Sequence, residues 1–178
     1  MKDIRRISVL VLGILCAVFS YADKSPVTHY FNTMFPSAGL SVSADSKTGT
    51  TSLLTYTCTD GATFGYDLVY KTIVSINFPS KGATMTTTAV DSLARVIVEY
   101  YFSDSSPLIE LRLSRDSTHW TDPLTPDVTV STNPGYAEYN FVPGKYYIRL
   151  TSNNKKAASI FQLSYSFGWC NCFLYIPE

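Results

Sequence analysis

Residues 82–121, GATMTTTAVDSLARVIVEYYFSDSSPLIELRLSRDSTHWT, decide the fold class. Val96, Val98, Tyr100 and Phe102 alternate with Arg95, Ile97, Glu99 and Tyr101, and Ile109, Leu111 and Leu113 alternate with Leu108, Glu110 and Arg112. A period of two puts one set on a buried face and the other in water, as in a half-buried strand. Between the runs, Ser103-Asp104-Ser105-Ser106-Pro107 bends the chain and cannot extend a ladder. The stretch reads as a lead-in strand followed by a long antiparallel hairpin.

The same rhythm continues on both sides. Leu54, Tyr56 and Cys58 share a phase, and Asp60-Gly61 signals a turn, so residues 62–66 return as the second arm of a hairpin. Val74, Ile76 and Phe78 mark a strand closed by Pro79 and a Ser80-Lys81-Gly82 turn, and threonine-rich 84–90 suits a pleated, half-buried surface. Downstream, Val128 and Val130 make a short strand turned by Asn133-Pro134-Gly135. Ala137, Tyr139 and Phe141 alternate, Val142-Pro143-Gly144-Lys145 reads as a tight turn, and Tyr146, Ile148 and Leu150 alternate in the partner strand. Phe161, Leu163, Tyr165 and Phe167 share one side of the last strand, which Gly168 ends. Nine or ten strands, with no 3.6-residue period after the N-terminal run, predict an all-β fold: two antiparallel sheets packed as a jelly-roll sandwich, with a closed barrel as the alternative.

The N-terminus carries Lys2, Arg5 and Arg6, then an apolar run over 7–19, then Ser20-Tyr21-Ala22. That order is the order of a secretory signal peptide cleaved after Ala22, and the run is shorter than the ~20 residues a membrane span needs. Cys16 is a poor lipidation site because Leu15 precedes it. The predicted organisation is a signal over 1–22, an arm and loop over 23–50, a sandwich over 51–167 and a tail over 168–178, exported to the periplasm, cell surface or medium.

The chain has 14 basic and 14 acidic side chains. Removing the signal takes three basic groups and one acidic one, leaving a slight acidic excess. No basic stripe speaks for nucleic acid, and polyanions are not favoured. Beyond the signal stand Cys58, Cys170 and Cys172. In an oxidising compartment one disulfide is expected, from Cys58 to Cys170 or Cys172, worth about 4 kcal/mol in the chain-entropy model. A Cys170–Cys172 link and three reduced thiols are the alternatives. Cys-Asn-Cys without a His pair is a poor zinc site.

Two passages carry a resemblance. Residues 83–102, with a Thr/Ser-rich strand, an aliphatic-Asp-x-Leu step and a long strand, and residues 108–121, in which Ser114, Asp116, Trp120 and Thr121 fit a "Ser-x-Asp-Gly-x-x-Trp-Thr" hairpin, resemble galactose-binding-like sandwiches, including discoidin-type and bacterial carbohydrate-binding modules. Ser117 stands where glycine is usual. Pro143-Gly144-Lys145-Tyr146-Tyr147-Ile148-Arg149-Leu150 is similar to a late strand of such domains. The resemblance implies a non-catalytic glycan-binding or adhesive module, and in such modules a structural calcium is common. Asp45, Asp60 and Asp67 are the candidate ligands here, although no EF-hand run appears.

A sugar-binding sandwich needs aromatic rings off the core phase and directional polar groups beside them. Tyr101, Tyr147, Arg149 and Trp169 fit, and Trp120 either stacks on ligand or covers the end of the core. Polar partners are available in Tyr136, Asn133 and Asp122. His119, near Asp116, has no nucleophile to serve and reads as a turn histidine. Glu99 and Glu110, on strands expected to pair, read as surface ion pairs with Arg95 and Arg112 rather than as a glycosidase pair. The expected partner is an oligo- or polysaccharide. A docking domain of an envelope assembly is the second reading, and a small lyase or hydrolase the third.

Overall fold

A computed structural model describes residues 24–31, 47–51, 53–70, 73–103 and 109–168. Eleven strands run through them: β1 Lys24–Tyr30, β2 Thr48–Thr50, β3 Thr55–Thr59, β4 Thr63–Tyr66, β5 Val74–Phe78, β6 Thr84–Thr87, β7 Val90–Phe102, β8 Ile109–Ser114, β9 Val128–Val130, β10 Gly135–Ser152 and β11 Ala158–Phe167. Every pairing is antiparallel. Sheet A contains β4, β5, β1, β11, β7, the first half of β10 and β9, and sheet B contains β2, β3, β6, the second half of β10 and β8. The two layers enclose one core, so the chain is an antiparallel β-sandwich. No helix among the described residues is long and apolar enough to cross a membrane.

The inward phase follows the alternation. Val96, Val98, Tyr100, Phe102, Leu111, Leu113, Tyr56, Cys58, Ile148 and Leu150 are all buried. The partners differ from those local turns predict. β7 does not form a hairpin with β8; it lies between β10 and β11, while β8 pairs with β10 in the other sheet. Likewise β3 pairs with β2 and β6, and β4 with β5, so Asp60 (φ 53°) and Gly61 (φ 92°) turn a corner between the layers instead of closing a hairpin. From β5 through β8 each strand lies in the sheet opposite its predecessor, the connectivity of a jelly roll.

β10 is the larger correction. Val142-Pro143-Gly144-Lys145 is no tight turn: the strand runs on through bulges between Asn140 and Tyr146 and changes sheets there. Both halves find other partners, β7 and β9 for the first, β6 and β8 for the second, so neither has backbone groups left to pair with the other. A bulge between Ile160 and Gln162 acts similarly on the last strand. Ile160, Leu163, Tyr165 and Phe167 point inward, and Phe161 is turned to the outer face of sheet A. The β9–β10 connection at Asn133-Pro134-Gly135, by contrast, is the expected hairpin.

A buried polar chain ties the layers together. His29 Nδ1 lies 2.6 Å from the Tyr56 hydroxyl, and Tyr56 Oη lies 2.8 Å from Tyr165 Oη. His29 and Tyr165 belong to sheet A and Tyr56 to sheet B, so the bonds cross the sandwich. Burial holds the imidazole below its ordinary value of 6.5. The unfolded chain takes up a proton as pH falls through about 6.5 while the folded ring resists it, so this contribution is present above that pH and is lost below it. The urea midpoint is therefore expected to fall between pH 7.5 and pH 5, and His29→Gln to flatten that slope. An unchanged slope in the variant would assign the pH dependence elsewhere.

Cys58 is buried and has no disulfide partner among the described residues; burial pushes its thiol up to about 12. It points inward as its phase predicts, and its expected partners Cys170 and Cys172 lie outside the described residues, as do Trp169, Asp45 and the proposed signal.

Candidate functional site

The outer face of sheet B is built from the residues that alternate with its core. Tyr56 and Cys58 on β3, Met85 on β6, Leu111 on β8 and Leu150 on β10 point in, so Thr57, Thr59, Thr84, Thr86, Glu110, Arg112, Tyr147, Arg149 and Thr151 fall on the other phase. Strand register arranges them in rows. Thr57 faces Thr86, Thr86 faces Arg149, and Arg149 faces Arg112. Beside them Thr59 faces Thr84, Thr84 faces Thr151, and Thr151 faces Glu110. These rows floor a depression of about 640 Å³, walled by Tyr147, Trp120, Ser117 and Asp60.

Trp120 reaches this face through a local device. Asp116 accepts hydrogen bonds from the backbone N–H groups of Thr118 and His119, each 2.8 Å, and from Ser114 Oγ at 3.0 Å, and its other oxygen lies 2.7 Å from His119 Nδ1. These bonds, led by the His119 backbone amide, hold the Asp116 carboxyl well below the usual carboxylate range. Ser117 adopts φ 66°, the left-handed conformation that glycine would take most readily at this turn. Past the turn, Thr121 N–H donates to Leu113 O (2.9 Å) and Leu113 N–H to Thr121 Oγ1 (3.1 Å). With Thr121 set against inward Leu113, its neighbour Trp120 falls on the outer face. It does not cover the end of the core: the half-buried indole lies over the Arg149 guanidinium, 3.9 Å from ring centroid to Cζ.

Charge in the depression is divided. Glu110 accepts from Arg112 (3.3 Å) and Asn153 (2.7 Å), and Asp60 from Thr59 Oγ1 (2.9 Å). Arg149 has no acid within ion-pair distance among the described residues, and its Nε, shielded from solvent, has no hydrogen-bond partner. Burial lowers its pKa and the Arg112 charge lowers it further, against an opposing pull from Asp60.

Of the five aromatic and arginine candidates, the structure thus brings Tyr147, Arg149 and Trp120 together. Tyr101 lies elsewhere, on the outer face of sheet A, stacked on Phe161 at 4.6 Å and met edge-on by Tyr70 at 4.8 Å. Trp169 lies outside the described residues. Glu99 and Glu110 are in different sheets, not on paired strands: Glu99 accepts from Gln162 at 2.6 Å, and Arg95 pairs with Glu138 at 2.8 Å. Tyr136 and Asn133 belong to the β9–β10 hairpin, where Asn133 bonds the Phe102 backbone, and neither it nor Asp122 lines the depression. The threonine rows and Arg112 were not singled out by sequence, although Thr55, Thr57 and Thr59 and again Thr84, Thr86 and Thr88 stand at alternate positions beside buried Tyr56, Cys58 and Met85.

Of the calcium candidates, Asp45 lies outside the described residues, and Asp60 and Asp67 do not come together. Both Asp67 oxygens accept from backbone amides of the following turn, those of Val69, Tyr70 and Ile73. Asp60 stands apart in the depression, and no three His, Cys, Asp or Glu side chains among the described residues gather around one point.

Asp116→Ala is expected to loosen the turn, shift Trp120 fluorescence to the red in a Trp169→Phe background and weaken any ligand bound in the depression several-fold. An unshifted spectrum would mean that the indole is positioned without the turn.

No protein-family model matches the chain, and no curated protein does. Among solved structures it is similar to a family two carbohydrate esterase from Cellvibrio japonicus, with a TM-score of 0.46 and 14% identity over 80% of this chain and 34% of that one. It is also similar to the carbohydrate-binding module CBM36 in complex with calcium and xylotriose, with a TM-score of 0.39 and 7% identity over 62% of this chain and 98% of that one. The chain spans about a third of the esterase's length. The sandwich assignment stands on the strand pairing itself.

Proposed function

We propose that the chain is a secreted, non-catalytic module that binds an oligo- or polysaccharide on the outer face of sheet B. The observation that carries the reading is the convergence of Trp120, Tyr147 and Arg149, from a turn and a strand, over rows of threonine hydroxyls in one open depression. Flat rings offer a pyranose its apolar face, and hydroxyl, guanidinium and carboxylate groups bond to its hydroxyls. The acceptors Glu110 and Asp60 are held by Arg112, Asn153 and Thr59, which suits hydroxyl recognition better than proton transfer. Export rests on the charged, apolar and small-residue order of residues 1–22.

A glycan array with an affinity-gel series tests this. The purified chain is expected to be retained by at least one polysaccharide and Tyr147→Ala to lose that retention; a folded chain that binds no glycan would sink the reading. Release of reducing ends or unsaturated products would favour a hydrolase or lyase. A second reading, docking of a protein in an extracellular assembly, is favoured by the Tyr70–Tyr101–Phe161 cluster on sheet A, where Tyr70 is half exposed. Pull-down of one protein partner without glycan binding would support it.

A further inference from the structure

We infer that the saccharide bound in the depression carries a carboxylate, as a uronic acid residue does, and that this group docks on Arg149 with Arg112 beside it. The inference rests on the carbohydrate-binding reading and specifies its ligand class.

Arg149 and Arg112 are direct register partners on β10 and β8 and share the outer face. Like charges directly opposite across a sheet repel, and the cost rises as water is removed. Arg112 is balanced by Glu110 at 3.3 Å. Arg149 has no such partner among the described residues: Trp120 covers it, and its Nε neither meets solvent nor donates a hydrogen bond. Elsewhere on the sandwich the outward-facing Arg95 also has a buried Nε without a hydrogen-bond partner, but its Nη2 is met by Glu138 at 2.8 Å, so the missing carboxylate is what sets Arg149 apart. A guanidinium with no carboxylate partner among the described residues, in the floor of an open depression, fits an anion that arrives with the ligand, because its planar donors suit a carboxylate. Thr57 and Thr86, in the same row, offer hydroxyls to the rest of that sugar ring. Asp60 and Glu110 flank the row and disfavour a densely charged chain, so a single carboxylate per site is the match.

The test is calorimetric titration of the full chain with three probes: an oligosaccharide containing uronic acid, its carboxyl-reduced neutral counterpart, and a sulfated oligosaccharide of similar length. The acidic sugar is expected to bind about tenfold or more tightly than the neutral one, the range of a hydrogen bond to a charged group. Arg149→Gln should erase that preference while leaving the unfolding midpoint near the parent's, and Arg149→Lys should restore part of it. Equal binding of acidic and neutral sugars, or a preference unchanged in Arg149→Gln, overturns the carboxylate assignment and leaves carbohydrate binding standing. Tighter binding of the sulfated probe replaces carboxylate with sulfate and overturns it also. Binding of none of the three, with no glycan retained on the array, removes both readings together.

Discussion

Trp120→Ala is expected to weaken saccharide binding by roughly 2 kcal/mol, about 30-fold, which is the range of a central aromatic anchor. The substitution removes a ring face from the ligand and uncovers the Arg149 guanidinium that the indole shields. Because Trp120 is half-buried on the outer face and contributes nothing to the core, the unfolding midpoint should move little. Affinity and thermal melts on the same preparation separate the two effects. A large loss of stability would mean that the indole packs the fold, and unaltered affinity would take it out of the site.

Ile148→Ala is expected to cost the fold about 2–5 kcal/mol, the range for truncating a buried aliphatic side chain to alanine. Ile148 is fully buried in the second half of β10, opposite Leu113 on β8, and its N–H donates to Thr87 Oγ1 at 3.0 Å. Against a total stability of roughly 5–15 kcal/mol this is a large fraction, and at about 2–4 °C per kcal/mol the melting temperature should fall by roughly 4–20 °C. Val142 lies in the same strand but is 74% exposed, so Val142→Ala should change stability by less than about 0.5 kcal/mol. Equal losses in the two variants would place the strand's inward face elsewhere.

What the sequence made legible was which side chains point inward. Alternation fixes a face, since burying Val96 requires burying Val98, but it says nothing about which strand lies alongside. The β10 strand shows why. Its buried phase passes from Ala137 and Tyr139 to Tyr146, Ile148 and Leu150, a slip of one residue that a turn or a bulge supplies equally well. Pro143-Gly144 fits both, and only the long-range partners β7, β9, β6 and β8 decide for the bulge. The same ambiguity made a sheet-to-sheet corner at Asp60-Gly61 look like a hairpin.

The candidate site divides along the same line. Tyr147 and Arg149 were readable because both alternate with core residues in one strand, whereas Tyr101, with the same pattern, went to the opposite layer. Trp120 was visible as an aromatic but not as a cover for Arg149, because its position depends on Thr121 pairing with Leu113. Arg112 joins the site through register with Arg149, a relation between residues far apart in the chain.

The most direct measurement is a nitrogen-15 chemical-shift titration of the labelled chain with the saccharide that the array identifies. Perturbations are expected to gather on Thr57, Thr86, Arg112, Trp120, Tyr147 and Arg149, with Tyr101 and Phe161 unmoved. Shifts confined to the outer face of sheet A, with the sheet B rows silent, would contradict the assignment.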